Sequence, residues 1–203
     1  MTLHNDKTIL VDADGVLLNW FHAFDQWMQK LGYKKIDKKT YSVTTAYGIS
    51  VERKRELIRF FNESVWIEHI PPFRDAIKYV KKLHQEHGYV FHCISSLSLE
   101  PYSGEARTRC LKNLFGPTTF ERFVYLDVGA DKDDALAFYK GSELFFVEDK
   151  WENADVGISL GLRSILMEHT YNEDYSGKAI KVKNWKQIYD IILEDSKNST
   201  DQF

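Results

Sequence analysis

Cysteine is nearly absent from the chain: two in 203 residues, Cys93 and Cys110, with no CxxC pair. That excludes a disulfide framework and a thiolate zinc site, and it fits a reducing compartment. Proline is rarer than usual, at four, and glycine is sparse, at 11, so long linkers and collagen-like or low-complexity segments are excluded. No apolar run approaches the roughly 20 residues that span a bilayer. The opening stretch, Met1 to Lys7, lacks the apolar segment of a secretion signal, so a cytoplasmic protein with no membrane partner is expected. Charge of one sign is also missing: 27 Lys+Arg stand against 30 Asp+Glu, a net −3, which argues against a dedicated nucleic-acid binder. No internal repeat is visible.

What is present is ordinary globular composition, 43 % apolar and 28 % charged. A chain of this length can bury about 70 % of its unfolded surface without a metal or disulfide staple. Thr8 to Val11 is a short β-rich run that ends at Asp12, and Asp14-Gly15 makes a turn. From Asn19 to Leu31, the residues Trp20, Phe21, Phe24, Trp27, Met28 and Leu31 recur at helical spacing. Gly32 to Ser50 is polar and weakly periodic, and its Lys34-Lys35 and Lys38-Lys39 run reads as a solvated loop. Val51 to Asn62 is helical again, and Pro71-Pro72 breaks the chain.

Beyond the prolines the pattern becomes regular. Helices are expected over Phe73 to His87, Gly104 to Phe115, Asp131 to Tyr139 (capped by Asp131), Trp151 to Leu160 and Asn184 to Leu193. Strands are expected over Tyr89 to Ile94, Phe123 to Leu126, Leu144 to Val147 and Leu162 to Leu166, with Glu194 to Phe203 a frayed tail. Such alternation means a parallel sheet with right-handed crossovers, whose ligands bind at the carboxyl ends of the strands. The polar clusters obey that rule. Asp12 and Asp14 follow one strand, Ser95 and Ser96 another, Glu148 and Asp149 a third, and Lys132 begins a helix soon after a strand.

Carboxylates gathered at one rim repel one another unless a cation sits among them, and hard oxygen donors suit Mg²⁺ beside a phosphate. A lysine there offsets ligand charge, and a hydroxyl can hold phosphate oxygens. One aspartate can serve as a covalent nucleophile while a second moves protons. Rival motifs fail. An EF-hand loop needs a further Asp or Asn where Val16 stands, no GxxxxGK[ST] is present, and in a response-regulator receiver the lysine comes last, whereas Lys132 precedes Glu148-Asp149.

The ordered set Val11-Asp12-Ala13-Asp14-Gly15-Val16, Ser95, Lys132 and Phe146-Val147-Glu148-Asp149 resembles the four motifs of the haloacid dehalogenase (HAD) superfamily, over Ile9 to about Met167. The resemblance implies a HAD-like Rossmannoid α/β fold with helices on both faces of the sheet. It implies a core domain of residues 1–17 and 73–203, and a small helical cap, residues 18–72, inserted after the first strand and closing over the site. It also implies that Asp12 is nucleophile and metal ligand, and that Asp14 is general acid/base with its backbone carbonyl on the metal. Ser95 would hold the phosphoryl group, with Ser96 the neighbouring alternative, and Lys132 would steady nucleophile and phosphate. Asp149 would be the third metal ligand, with Glu148 on the metal or one layer behind it.

Asp14 to Trp20, Trp66 to Pro72 and Phe115-Gly116-Pro117 are similar to the 5′(3′)-deoxyribonucleotidases and their bacterial and phage relatives. That similarity implies a Mg²⁺-dependent phosphomonoesterase acting on a nucleoside monophosphate through an aspartyl-phosphate, with Trp20 beside the base; Phe24 and Trp66 are the other aromatic candidates for the pocket. The chain departs from that family in reading Glu148-Asp149 rather than Asp-Asp, and in the Ser96-to-Tyr102 segment after Ser95. Alternatives are another small phosphate ester, a polynucleotide 3′-phosphate end, or a non-catalytic binding module. No stable nucleic-acid partner is expected, and a homodimer is left open. The charge divides between the two parts: residues 18–72 carry nine Lys+Arg and six Asp+Glu, net +3, leaving 18 against 24, net −6, elsewhere. The same segment holds ten of the 29 aromatics, which suits an anionic aromatic ligand.

Overall fold

The computed structural model describes residues 6–37, 40 and 42–200; the Lys38-Lys39 half of the lysine run, residues 1–5 and the last three residues of the tail lie outside the described residues. Strand β1 (Thr8–Val11) is buried along its whole length. An insert follows: α1 (Trp20–Lys30), α2 (Val43–Tyr47), α3 (Val51–Asn62) and a 3-10 turn over Val65–His69. The regular part then runs α4 (Ala76–His87), β2 (Val90–Ser96), α5 (Pro101–Phe115), β3 (Phe120–Leu126), α6 (Asp133–Ala137), β4 (Phe145–Glu148), α7 (Trp151–Ser159), β5 (Arg163–Met167), β6 (Ile180–Val182) and α8 (Trp185–Thr200).

The six strands form one parallel sheet in the order β3-β2-β1-β4-β5-β6. Val11 pairs with Cys93 on one side and Val147 on the other. The strand order therefore reverses between β1 and β4, and ligands of such sheets bind in the crevice at the carboxyl ends on either side of that point. Among the described residues no helix is long and apolar enough to cross a membrane.

The insert leaves and returns at paired positions: Phe73 N–H donates to Leu17 O (2.7 Å) and Asn19 N–H to Pro71 O (2.8 Å). One apolar cluster runs from the sheet (Ile9, Val11, Phe91, Val147) into the insert (Phe24, Met28, Leu57, Phe61). Ser50 caps α3, its hydroxyl accepting from Arg53 N–H at 3.1 Å. In α1, Trp20, Ala23, Phe24 and Met28 face inward at helical spacing.

Several sequence expectations are corrected. Helix α4 starts at Ala76, not Phe73, because Phe73 is committed to the pairing with Leu17 and Arg74 takes a positive φ of 43°. Helix α5 starts earlier than Gly104, at Pro101, which has no N–H to lose in a first turn. Strand β2 extends through Ser96, β3 begins at Phe120, and β6 arises from only three residues. Helix α2 emerges inside the stretch without periodicity, started by Ser42, whose hydroxyl accepts from Thr45 N–H. The tail is helical to Thr200 rather than frayed from Glu194. Asp131 does not cap α6; Lys132 occupies that position, with its side chain turned inward. Lys35 of the lysine run is only partly solvated, bridging to Asp25 at 2.6 Å.

Candidate active site

Asp12 sits one residue past β1, and its backbone N–H continues the ladder to Val147 O at 3.0 Å. Ala13 N–H donates to its Oδ1 at 2.7 Å. The chain then turns tightly, with Leu17 and Leu18 N–H both donating to Ala13 O. Gly15 takes φ +77°, and a Cβ there would lie 2.3 Å from Asp149 Oδ2, so the motif's glycine is required both by backbone conformation and by the acidic side chain packed on it.

Lys132 is buried between two carboxylates, with Nζ 3.0 Å from Asp12 Oδ1 and 2.7 Å from Glu148 Oε2. Burial disfavours its charge, but the Asp12 and Glu148 carboxylates overcome that and hold its pKa above the ordinary lysine value. Glu148 is fully engaged: its Oε1 accepts from Asp149 N–H (3.2 Å) and Lys150 N–H (3.0 Å) while Oε2 takes Lys132. Burial works against the Glu148 carboxylate, yet Lys132 and these N–H groups bring its pKa below the usual value. Asp12 is pushed up by burial and by Glu148, with Lys132 opposing. Asp149 is pushed well up by burial and by the charges of Glu148 and Asp12.

Asp12, Glu148 and Asp149 each offer a carboxylate oxygen, and these oxygens lie within 4.8 Å of one another. Fully ionised, three buried carboxylates around one ammonium would carry two uncompensated negative charges, a repulsion that the raised Asp149 pKa relieves when no cation is bound. The hard oxygen donor set and that residual charge fit a divalent cation. Asp14 does not join the trio through its carboxylate, which Arg107 of α5 grips instead.

The other expected residues divide. Ser95 is buried beside Asp12, close enough to favour its ionised form, and its hydroxyl has no partner of good hydrogen-bond geometry. Ser96 donates to Ala130 O at 2.9 Å and lines the cavity. That cavity, about 830 Å³, opens over Asp12, Asp14, Lys132 and Asp149. Trp20 lines it, with its indole N–H on Asn62 Oδ1 at 2.9 Å. Phe24 does not: it is fully buried, stacked on Trp20 at 4.7 Å and edge-on to Phe61, as part of the insert's own core. Trp66 does not either, since it sits on the 3-10 turn with Lys30 Nζ over its ring at 4.6 Å.

Residues that carried no mark of a site in the sequence complete the walls: Phe21, Lys54, Arg55, Ile58, Arg59 and Phe60 from the insert. Arg59 Nη2 reaches Asp127, in the loop after β3, at 3.1 Å, tying insert to sheet. Tyr171 O–H donates to Asp149 Oδ2, and His169, stacked on Tyr171 at 4.9 Å, bonds Gly15 O at 2.8 Å. Nothing local in the sequence marks Tyr171 either, which follows β5.

No family model matches the chain. A protein of Enterobacteria phage T4, described as an uncharacterized 32.4 kDa protein in the Gp30-rIII intergenic region, is 31 % identical over 90 residues, which are 41 % of this chain. The match spans about a third (32 %) of that relative's length. Solved structures align over nearly the whole chain. A HAD-superfamily hydrolase from Ehrlichia chaffeensis has TM-score 0.56 and 18 % identity, covering 93 % of this chain and 96 % of that one. A haloacid dehalogenase-like hydrolase from Streptococcus pneumoniae has TM-score 0.63 and 15 % identity, covering 91 % and 97 %. A HAD phosphatase from Thermococcus onnurineus has TM-score 0.53 and 14 % identity, covering 91 % and 97 %. The chain thus has the HAD-like Rossmannoid fold, with a candidate acidic metal-binding cluster at the carboxyl ends of β1 and β4.

Proposed function

We propose that the protein is a Mg²⁺-dependent phosphomonoesterase, and that its substrate is a nucleoside or deoxynucleoside monophosphate. The observation that carries the first part is the Lys132 ammonium lodged between Asp12 and Glu148, with Asp12, Lys132 and Asp149 lining an open cavity and Glu148 buried behind them as the third carboxylate of the cluster. Asp12, Asp149 and the Glu148 side would hold the cation. Bound there, it would neutralise charge on the carboxylates and on the phosphoryl oxygens.

Asp12 attacks phosphorus in line, forming an aspartyl-phosphate as the ester P–O bond breaks, and Asp14 gives its proton to the leaving oxygen. Water then attacks phosphorus and gives its proton to Asp14, and the bond to Asp12 breaks to release inorganic phosphate. Lys132 fixes the Asp12 carboxylate and offsets charge gathering in the transition state. The Ser95 hydroxyl is buried beside Asp12, whose ionised form it favours, while Ser96 is the serine that lines the cavity. The nucleotide part is supported by the cavity's size and by the Trp20, Phe21 and Phe60 rings beside the Lys54 and Arg55 charges. Stacking on one base contributes about 1–3 kcal/mol.

Hydrolysis of p-nitrophenyl phosphate in Mg²⁺ tests the chemistry, and it should vanish in Asp12→Asn and in EDTA. Equal rates for wild type and Asp12→Asn with metal present would show the mechanism to be wrong. A panel of nucleotides, sugar phosphates and 3′-phosphorylated oligonucleotides tests the substrate, with mononucleotides expected to give the highest kcat/KM.

A further inference from the structure

Arg107 is fully buried, on the inner face of α5, and grips Asp14 with both ends of its guanidinium. Nη1 donates to Oδ1 at 2.6 Å and Nη2 to Oδ2 at 3.2 Å. Such a two-point contact fixes the plane and the direction of the carboxylate as well as its distance. The Asp14 side chain is still 20 % exposed, on the cavity side. Among the described residues Asp14 is the one acidic partner of Arg107, and its Nε has no hydrogen-bond partner. A lone arginine buried for one carboxylate is a poor stabilising device, because desolvating both charges offsets most of their attraction and an apolar side chain would serve as well. The pair joins positions 93 residues apart, one on the loop after β1 and one on the helix after β2.

We propose that Arg107 is a positioning residue that aims Asp14 at the attacking water in the hydrolysis of the aspartyl-phosphate; this rests on the phosphatase reading above. Both Asp14 oxygens accept from the guanidinium, and each keeps a lone pair for another donor. That is the arrangement required when Asp14 receives a proton. In that step the water O–H proton passes to Asp14, a P–O bond forms to the water oxygen, and the P–O bond to Asp12 breaks. A carboxylate free to rotate would lose this aim, and misplacement by about 1 Å can cost on the order of 10²-fold in rate.

The test uses 2,4-dinitrophenyl phosphate, whose leaving group departs without a proton, so that the first step does not call on Asp14. Wild type, Arg107→Met and Arg107→Lys are compared in Mg²⁺ by rapid quench and by steady-state rates, with radiolabelled phosphate counted on the protein. For Arg107→Met, kcat should fall at least roughly ten times more than kcat/KM. One equivalent of dinitrophenolate should appear in a burst, and phosphorylated protein should accumulate. Arg107→Lys keeps the charge without the fork, and should show the same split, smaller in size. Equal falls in kcat and kcat/KM with no phosphorylated protein, in either folded variant, would overturn the inference and leave Arg107 a structural residue. If Arg107→Met does not fold, the split between kcat and kcat/KM in Arg107→Lys decides between the two outcomes. A wild type that hydrolyses no phosphate ester overturns the phosphatase reading, and this inference with it.

Discussion

The acidic trio makes a prediction in which one substitution acts in opposite directions with and without metal. Burial and the charges of Glu148 and Asp12 hold the Asp149 pKa well above the ordinary 3.8. The metal-free folded protein therefore keeps a proton that the unfolded chain releases. By linkage, metal-free stability falls as pH rises from 3.8 through the raised folded value. Each pH unit crossed in that window removes about 1.4 kcal/mol. In a chain of this length one such unit corresponds to about 3–6 °C in Tm. Asp149→Asn keeps an acceptor for the Tyr171 hydroxyl and removes the charge. In EDTA at neutral pH the variant should melt higher than wild type, with a flatter dependence on pH. Mg²⁺ reverses the order. At 100 times Kd, a ligand specific for the folded state adds about 2.7 kcal/mol, or about 5–11 °C here. Wild type should show that rise and Asp149→Asn should not. Scanning calorimetry in EDTA and across a Mg²⁺ titration measures both arms. An Asp149→Asn protein that melts lower in EDTA, or that gains as much from Mg²⁺ as wild type, would refute the account of the trio as an uncompensated cation site.

The floor of the site was legible in the sequence because its residues are tied to strand ends, and strand ends are marked by short apolar runs. Thr8–Val11 and Phe145–Glu148 are such runs, and Asp12 and Asp149 follow directly. The walls were less legible. Phe24 and Trp20 lie on one helical face, and their i, i+4 spacing cannot tell which ring borders a cavity and which fills the core; the stacking of one on the other decides it. Trp66 was suggested by its neighbours in sequence, but the 3-10 turn directs it elsewhere. Arg107 carried no local sign at all, since a charged residue in a helix normally reads as solvent-facing. Only the crossover that lays α5 against the loop after β1 brings it to Asp14. Helix α2 and strand β6 are too short for periodicity to register, being five and three residues.

Two further substitutions separate local fit from charge. Gly15→Ala brings a Cβ to 2.3 Å from Asp149 Oδ2 at a φ of +77°. It should cost about 1–3 kcal/mol in urea denaturation and lower activity with it, since relief of the clash requires moving a carboxylate of the candidate metal cluster; a fully active, equally stable variant would contradict the packing. Lys132→Met is close to isosteric, so its effect is electrostatic. It leaves Asp12 and Glu148 buried without their shared ammonium, and breaking such a contact costs about 3–5 kcal/mol. The sign with pH follows from the partners. In wild type the Lys132 pKa is raised, so its contribution is complete below 10.5 and is lost only as pH rises through the folded value. Without Lys132, Asp12 and Glu148 bind protons more tightly in the folded state than in the unfolded one. The variant's deficit should therefore shrink as pH falls toward the carboxylate range and grow toward neutrality. A deficit independent of pH between about 4 and 8 would mean that the loss is packing, and that the ammonium does not hold the two carboxylates together.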